Sequence, residues 1–255
     1  FHAFSMYIFL GLALPLLFYH KSNMLKIILG ILVICYIANI IGTGSRSGWL
    51  AFAFATTVFI LLVPYQHKFA LLVILFIACI CLFMVLSISS DVPTFERFQM
   101  KSLEGPVSWR METYLQALEM VKDKPLLGHG TGNYLSEYNN YLRFHPTLSR
   151  YFFGPIHNSF AQIWVENGTI GLICFLAFLA FIFYSLLKNF FISLDKNKKL
   201  ISLAFIVSLS GFVVQACFTV LINQMLIAIV LGLAVAFISN VSCYTKEINS
   251  TNEQN

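Results

Sequence analysis

Three short stretches of this sequence hold the side chains best suited to chemistry. The first is His157-Asn158-Ser159-Phe160, which follows Pro155 and leads into a helical pattern ending at Asn167-Gly168. Histidine is the side chain best able to take up and release a proton near neutral pH. At a helix entrance it serves either as a proton acceptor or as an interfacial residue bonded to a carbonyl. The second stretch is Gly42-Thr-Gly-Ser-Arg-Ser-Gly-Trp49, in which Arg46 stands among two serines and three glycines. Such a donor-rich turn suits an anion, or equally a simple anchor at a lipid surface.

The third stretch is Pro106–Val121, reading PVSWRMETYLQALEMV. Val107, Met111, Tyr114, Leu115, Leu118 and Val121 recur at the i, i+3, i+4, i+7 spacing of an amphipathic helix, with Pro106 in its first turn. Arg110 lies at the edge of that apolar stripe, and Tyr114 rather than a carboxylate stands four residues on. Its helix therefore offers it no ion-pair partner. It is free to meet a lipid phosphate or to snorkel at the surface.

Lys124-Pro-Leu-Leu-Gly-His-Gly-Thr-Gly-Asn133 comes next. No strand precedes these glycines and the dinucleotide-binding spacing is absent, so the segment reads as a loop lining the site. His129 and His145 read as loop residues rather than metal ligands. No Asp-x-Asp occurs anywhere, and the 90–156 segment has only Asp91 and Asp123 as aspartates. A nucleotide-sugar transferase usually needs paired carboxylates to hold a divalent metal against a diphosphate. With arginines in their place, cationic stabilisation of a diphosphate without a metal or other cofactor is the better expectation.

The composition says what must position these groups. Hydrophobic residues make up 58% of the chain and charged ones 11%, with a mean hydropathy of +0.79. Soluble domains carry about 25% charged residues, so the bilayer must be the main solvent. The net charge of +5 is ordinary for a membrane protein and implies no nucleic-acid partner. Cys35, Cys79, Cys81, Cys174, Cys217 and Cys243 show no metal-ligand spacing. The expected class is an all-α polytopic membrane protein.

Seven apolar stretches are long enough to count as spans: 4–19, 27–41, 49–63, 69–89, 170–187, 200–220 and 225–239. The expected organisation is four spans in 1–89, a large outward loop at 90–156, a short entry helix and three spans in 157–239, and a tail at 240–255. Lys21, Lys26, Lys68, Lys188, Lys196, Lys198 and Lys199 fall in loops that share one side by alternation. Positive residues in short loops mark the cytoplasmic side, so Arg46, Arg110 and His157 face outward. None of the spans contains Asp, Glu, Lys or Arg. Ion-coupled carriers usually keep ionisable groups at depth, so chemistry at the outer surface is the stronger expectation. The chain opens on Phe1 directly before an apolar stretch, without a basic leader or cleavage site. This reads as a fragment that lacks earlier spans.

Taken together, these stretches resemble the O-antigen ligase and O-antigen polymerase superfamily. Its ligases carry an Arg, three residues, then Leu, as in Arg46-Ser-Gly-Trp-Leu50. They also carry His-Asn, nine residues, then Gly-x-x-Gly, as in His157-Asn158, residues 159–167 and Gly168-Thr-Ile-Gly171. Trp109-Arg110 followed by Pro125-Leu-Leu-Gly128 is similar to the family's outer loop. The resemblance runs roughly over residues 38–190, and a family fold of about a dozen spans agrees with missing N-terminal helices.

The resemblance implies transfer of a saccharide from an undecaprenyl-diphosphate carrier to the lipid A–core of lipopolysaccharide. It also implies a site facing the periplasm, on the outer side of the bacterial inner membrane. His157 would be the general base. Arg46, Arg110 and Arg150 would bind the diphosphate, with Arg97, Lys101 and Arg143 as further candidates. Asn158, Gly168 and Gly171 would support the site. The family equally contains polymerases, which join lipid-linked repeat units, and protein O-oligosaccharyltransferases. The rival of a different class is a non-enzymatic carrier of lipid-linked sugars.

Overall fold

The structure is a computed structural model, and it describes residues 22–43, 46–63, 104–141, 156–219 and 229–238, with Gly11, Ala13, Pro15 and Leu16 besides. The described residues form helices and no strand. In chain order these are α1 (Asn23–Thr43), α2 (Arg46–Leu62), α3 (Glu104–Asp123), α4 (Tyr134–Tyr141), α5 (Ser159–Ile192), α6 (Lys196–Ala216) and α7 (Ile229–Ile238). Of the expected spans, residues 27–41, 49–62, 170–187, 200–216 and 229–238 are helical, while 220, 225–228 and 239 lie outside the described residues. The expected span 69–89 lies outside the described residues, as does most of 4–19. Among the described residues two helices, α5 and α6, are long and apolar enough to cross a membrane.

The architecture has α6 at its centre. Asp195 caps the start of α6, its carboxylate accepting from the Asn197 amide at 2.8 Å, and the three-residue turn at Ser193 folds α6 back along α5. Leu179, Ile182 and Leu186 of α5 pack on Phe205, Ile206, Leu209 and Phe212 of α6, which α7 covers with Val230, Leu231 and Ala234. On the other side of α6, Leu203 and Val207 meet Ala55 and Phe59 of α2. Lipid tails are as apolar as leucine, so close packing rather than escape from water must hold such a bundle inside a bilayer. Buried Ser202, Ser208 and Ser210 keep α6 slim enough for that approach, and Ser210 satisfies its hydroxyl on the Ile206 carbonyl at 2.7 Å.

By contrast, Ile170, Ile173, Leu176, Phe178 and Phe181 of α5 are exposed. A continuous outward apolar stripe of this size is costly in water and ordinary in lipid. α5 has 34 residues, about 51 Å at 1.5 Å per residue, against a hydrocarbon core of about 30 Å. The surplus is resolved at Gly168, whose φ of 66° and ψ of −172° break the helix. Residues beyond the break carry the outward apolar stripe, and those before it form a separate short helix. That short helix is sandwiched against α3 and α4 through Met120, Val121, Tyr134, Tyr138, Ile156 and Val165.

The amphipathic helix expected over 106–121 forms as α3. It buries Thr113, Gln116, Ala117, Met120 and Val121, while Met111, Leu115 and Leu118 of the apolar stripe stay exposed. Gln116 is drawn inward because its side-chain amide donates to the Tyr138 carbonyl at 3.0 Å. Thr113, Gln116, Ala117, Met120 and Val121 thus face inward, and Met111, Leu115 and Leu118 face away.

Candidate active site

His157 immediately precedes α5. The side chain of Asn158 is the helix cap, its Oδ1 accepting from the amides of Phe160 at 2.9 Å and Ala161 at 3.1 Å. These first-turn amides have no partner inside the helix, so asparagine is chemically suited to this position. With the helix start pinned, the chain enters through His157 at a φ of 41°. Left-handed backbone is sparsely populated for any side chain but glycine, and it clusters at functional sites. His157 is half-buried. Burial first, and then the positive charge of Arg110, hold its pKa below the ordinary histidine value. Both favour the neutral ring, the form able to accept a proton. Among the described residues Arg110 has no carboxylate partner.

The loop after α3, a strap over residues 124–133, joins the Arg110 helix to the His157 helix. Where Gly168 breaks α5, the carbonyls of Val165 and Glu166 lose their usual partners, the amides of Thr169 and Ile170. The loop replaces both sides of that exchange. The His129 amide donates to the Val165 carbonyl at 3.0 Å, and the Gly130 amide to that of Glu166 at 2.7 Å. In return Thr169 donates to the Pro125 carbonyl at 2.8 Å and Ile170 to that of Leu126 at 3.3 Å. No backbone group at the break needs to be left buried and unpaired, a state that would cost about 1–3 kcal/mol each.

Two glycines make the contact possible. A Cβ on Gly168 would stand 2.1 Å from the Leu126 carbonyl oxygen, and one on Gly128 (φ 69°) 2.5 Å from the Glu166 backbone. Gly171 is bare for a nearer reason, since a Cβ there would meet that of Asn167 at 2.3 Å. Asn167 uses the space to accept the Thr131 hydroxyl at 2.6 Å. Asn158, Gly168 and Gly171 therefore each have a structural task at the site.

Arg46 is the first residue of α2. Its neighbour Ser47 accepts from the Gln215 side-chain amide of α6 at 3.3 Å, and Ser159 of α5 donates to the Thr219 carbonyl beyond α6 at 2.8 Å. These contacts bring the starts of α2 and α5 to one end of α6. Lys188, Lys196, Lys198 and Lys199 stand at the other end of the α5–α6 hairpin. Arg150 lies outside the described residues, as do Arg97, Lys101, Arg143 and His145.

The sequence reading overlooked one buried pair. Glu166, 2% exposed, accepts the Gln162 side-chain amide at 2.8 Å within the first turns of α5. Its i, i+4 spacing in a short polar helix was the available signal. No three His, Cys, Asp or Glu side chains converge among the described residues.

With this geometry established, comparison with known proteins becomes informative. The family model for O-antigen ligase matches residues 31–176, more than half of the chain and all three motif stretches. The chain belongs to the O-antigen ligase family. A curated O-antigen ligase from Salmonella typhimurium is 28% identical over 176 residues, covering 67% of this chain and 43% of the relative. The chain therefore spans under half the length of that ligase. The family match runs from α1 through the strap and the Gly168 break into the apolar part of α5. The capped histidine and the laced loop thus lie inside the part that this family member shares with the O-antigen ligase family.

Proposed function

We propose that this chain carries the transfer site of an O-antigen ligase-type glycosyltransferase, working at the periplasmic face of the inner membrane. The donor is a saccharide on undecaprenyl diphosphate and the acceptor a hydroxyl of the lipid A–core. The observation that carries the reading is His157, a half-buried imidazole held neutral beside Arg110 at the capped start of α5.

The acceptor oxygen attacks the anomeric carbon as the bond from that carbon to the diphosphate oxygen breaks. The bonding pair leaves with undecaprenyl diphosphate, and the hydroxyl proton passes to His157, which later releases it to water. Arg110 and Arg46, with Arg150, hold the diphosphate and offset the charge it gains. Diphosphate is already a good leaving group, so one base suffices and no metal is required. The seven-span topology, with lysines on the cytoplasmic side, belongs to the same reading. It is supported by the separation of the lysine-bearing end of the α5–α6 hairpin from the His157 end.

A positioned base contributes about 10²–10⁴-fold to such a step. Cells lacking the gene, complemented with wild-type or His157→Ala protein, provide the test through a gel of lipopolysaccharide and of undecaprenyl-linked glycan. The expected result for His157→Ala is normal membrane insertion, lipid A–core without polymer, and glycan accumulating on the carrier. Polymer on the core at the wild-type level would remove His157 as the base. Core capped by a single repeat unit in the null strain would reassign the enzyme as a polymerase.

A further inference from the structure

His129 is not part of either family motif, yet its atoms touch α3, α4 and α5. The residue is 8% exposed. Its backbone amide donates to the Val165 carbonyl of α5, and its carbonyl accepts the Asn133 side-chain amide at 3.1 Å. The ring Nε2 stands 2.9 Å from the Met120 carbonyl of α3. A carbonyl only accepts, so Nε2 carries the hydrogen. Nδ1 is buried with no partner among the described residues and gives the ring no competing anchor. The ring edge also meets Tyr141 of α4 at 5.6 Å, and the Tyr141 hydroxyl donates to Asp123 at 2.5 Å. Tyr141 and Asp123 are thus the titratable groups that stand nearest in this cluster.

We infer that His129 is a positioning residue for transfer, its ring tying α3 to the strap so that Arg110 stays beside His157. The inference rests on the assignment of His157 and Arg110 above. The two bonds divide the work. The backbone bond to Val165 fixes the loop on α5 whatever the side chain, whereas the bond from His129 to α3 is made by its ring. Arg110 lies ten residues before Met120 on α3, about 15 Å along the axis. A tilt of about 10° at the Met120 end would therefore carry Arg110 by about 2.6 Å. Placements of this size decide how strongly one charge is felt by another and how well a diphosphate is held.

The test uses the full-length protein in vesicles with undecaprenyl-diphosphate-linked donor and lipid A–core acceptor, and follows transfer against pH. His129→Leu is expected to lower transfer about tenfold, the effect of losing one buried hydrogen bond at the upper end of its range. Its acid limb is expected to move to higher pH, because His157 then loses the Arg110 charge that favours its neutral form. His129→Gln, whose terminal amide can replace Nε2–H, is expected to restore both.

A merely structural role would scale the rate alike at every pH, so an unshifted acid limb in His129→Leu overturns the inference. Should that variant fail to reach the membrane, His129→Asn replaces it, since its amide is too short for the Met120 carbonyl. Equal acid limbs in the Gln and Asn variants then overturn the inference. His157→Ala run alongside separates the two claims. Wild-type transfer by His157→Ala overturns the base assignment and the inference together. Loss of transfer there, with no shift in the His129 variants, overturns the inference alone.

Discussion

The two halves of the candidate site are built by different means. On the Arg110–His157 side, four backbone hydrogen bonds lace the 125–130 loop into the break in α5, and an asparagine caps the helix start. On the Arg46 side, α2 lies against α6 through Ala51, Trp49 and Val214, with one described side-chain bond between Ser47 and Gln215. Backbone bonds between fixed elements tolerate almost no change in geometry, whereas packed helices can slide by fractions of an ångström. The proposed base, His157, and Arg110 on the neighbouring helix thus sit in the laced, stiffer half. The arginine that opens α2 sits in the half joined by packed side chains, taken as the more compliant side.

The largest expected effect comes from adding a methyl group at the stiff side. Gly168→Ala combines a left-handed backbone with a Cβ pressed into the Leu126 carbonyl, a cost of order 3 kcal/mol or more. Protease sensitivity of the 124–133 loop in membranes should rise sharply and transfer should fall at least 100-fold. Retention of wild-type protection would mean that the strap does not depend on this glycine.

Asn158→Ala removes the cap at the same side and should cost about 1 kcal/mol. Transfer should fall severalfold because His157 loses its fixed approach, and Asn158→Asp or Asn158→Ser should recover most of it. Equal losses in Ala, Asp and Ser would point to a direct contact with substrate instead. On the compliant side, Ser47→Ala breaks one long neutral bond and should change transfer by no more than about threefold. A loss from Ser47→Ala as large as that from Asn158→Ala would erase the proposed contrast between the halves.

Much of this was legible in the sequence. Apolar run lengths located α1, α2, α5, α6 and α7, and Pro155 followed by His-Asn located the start of α5. The buried face of α3 was not legible. In an apolar protein, leucines at helical spacing mark lipid or any other apolar neighbour as readily as a core, and Met111, Leu115 and Leu118 proved exposed. The strap was legible only as a glycine-rich loop. Its partners lie some 40 residues away, and a break in a helix leaves no periodic trace beyond one glycine. Gly-x-x-Gly conceals two separate reasons, a left-handed break at Gly168 and room for Asn167 at Gly171.

In the proposed mechanism Arg110 and burial keep His157 neutral so that it can accept a proton. The most direct measurement is the pH profile of transfer by wild-type and Arg110→Gln protein in vesicles, at donor concentrations that saturate each. A neutral imidazole is required, so activity falls as pH drops through the pKa of His157, which burial and Arg110 both hold down. The predicted result is an acid limb that moves to higher pH in Arg110→Gln, beyond any loss in rate. An acid limb unchanged by removing that charge would contradict the account, whatever the rate of the variant.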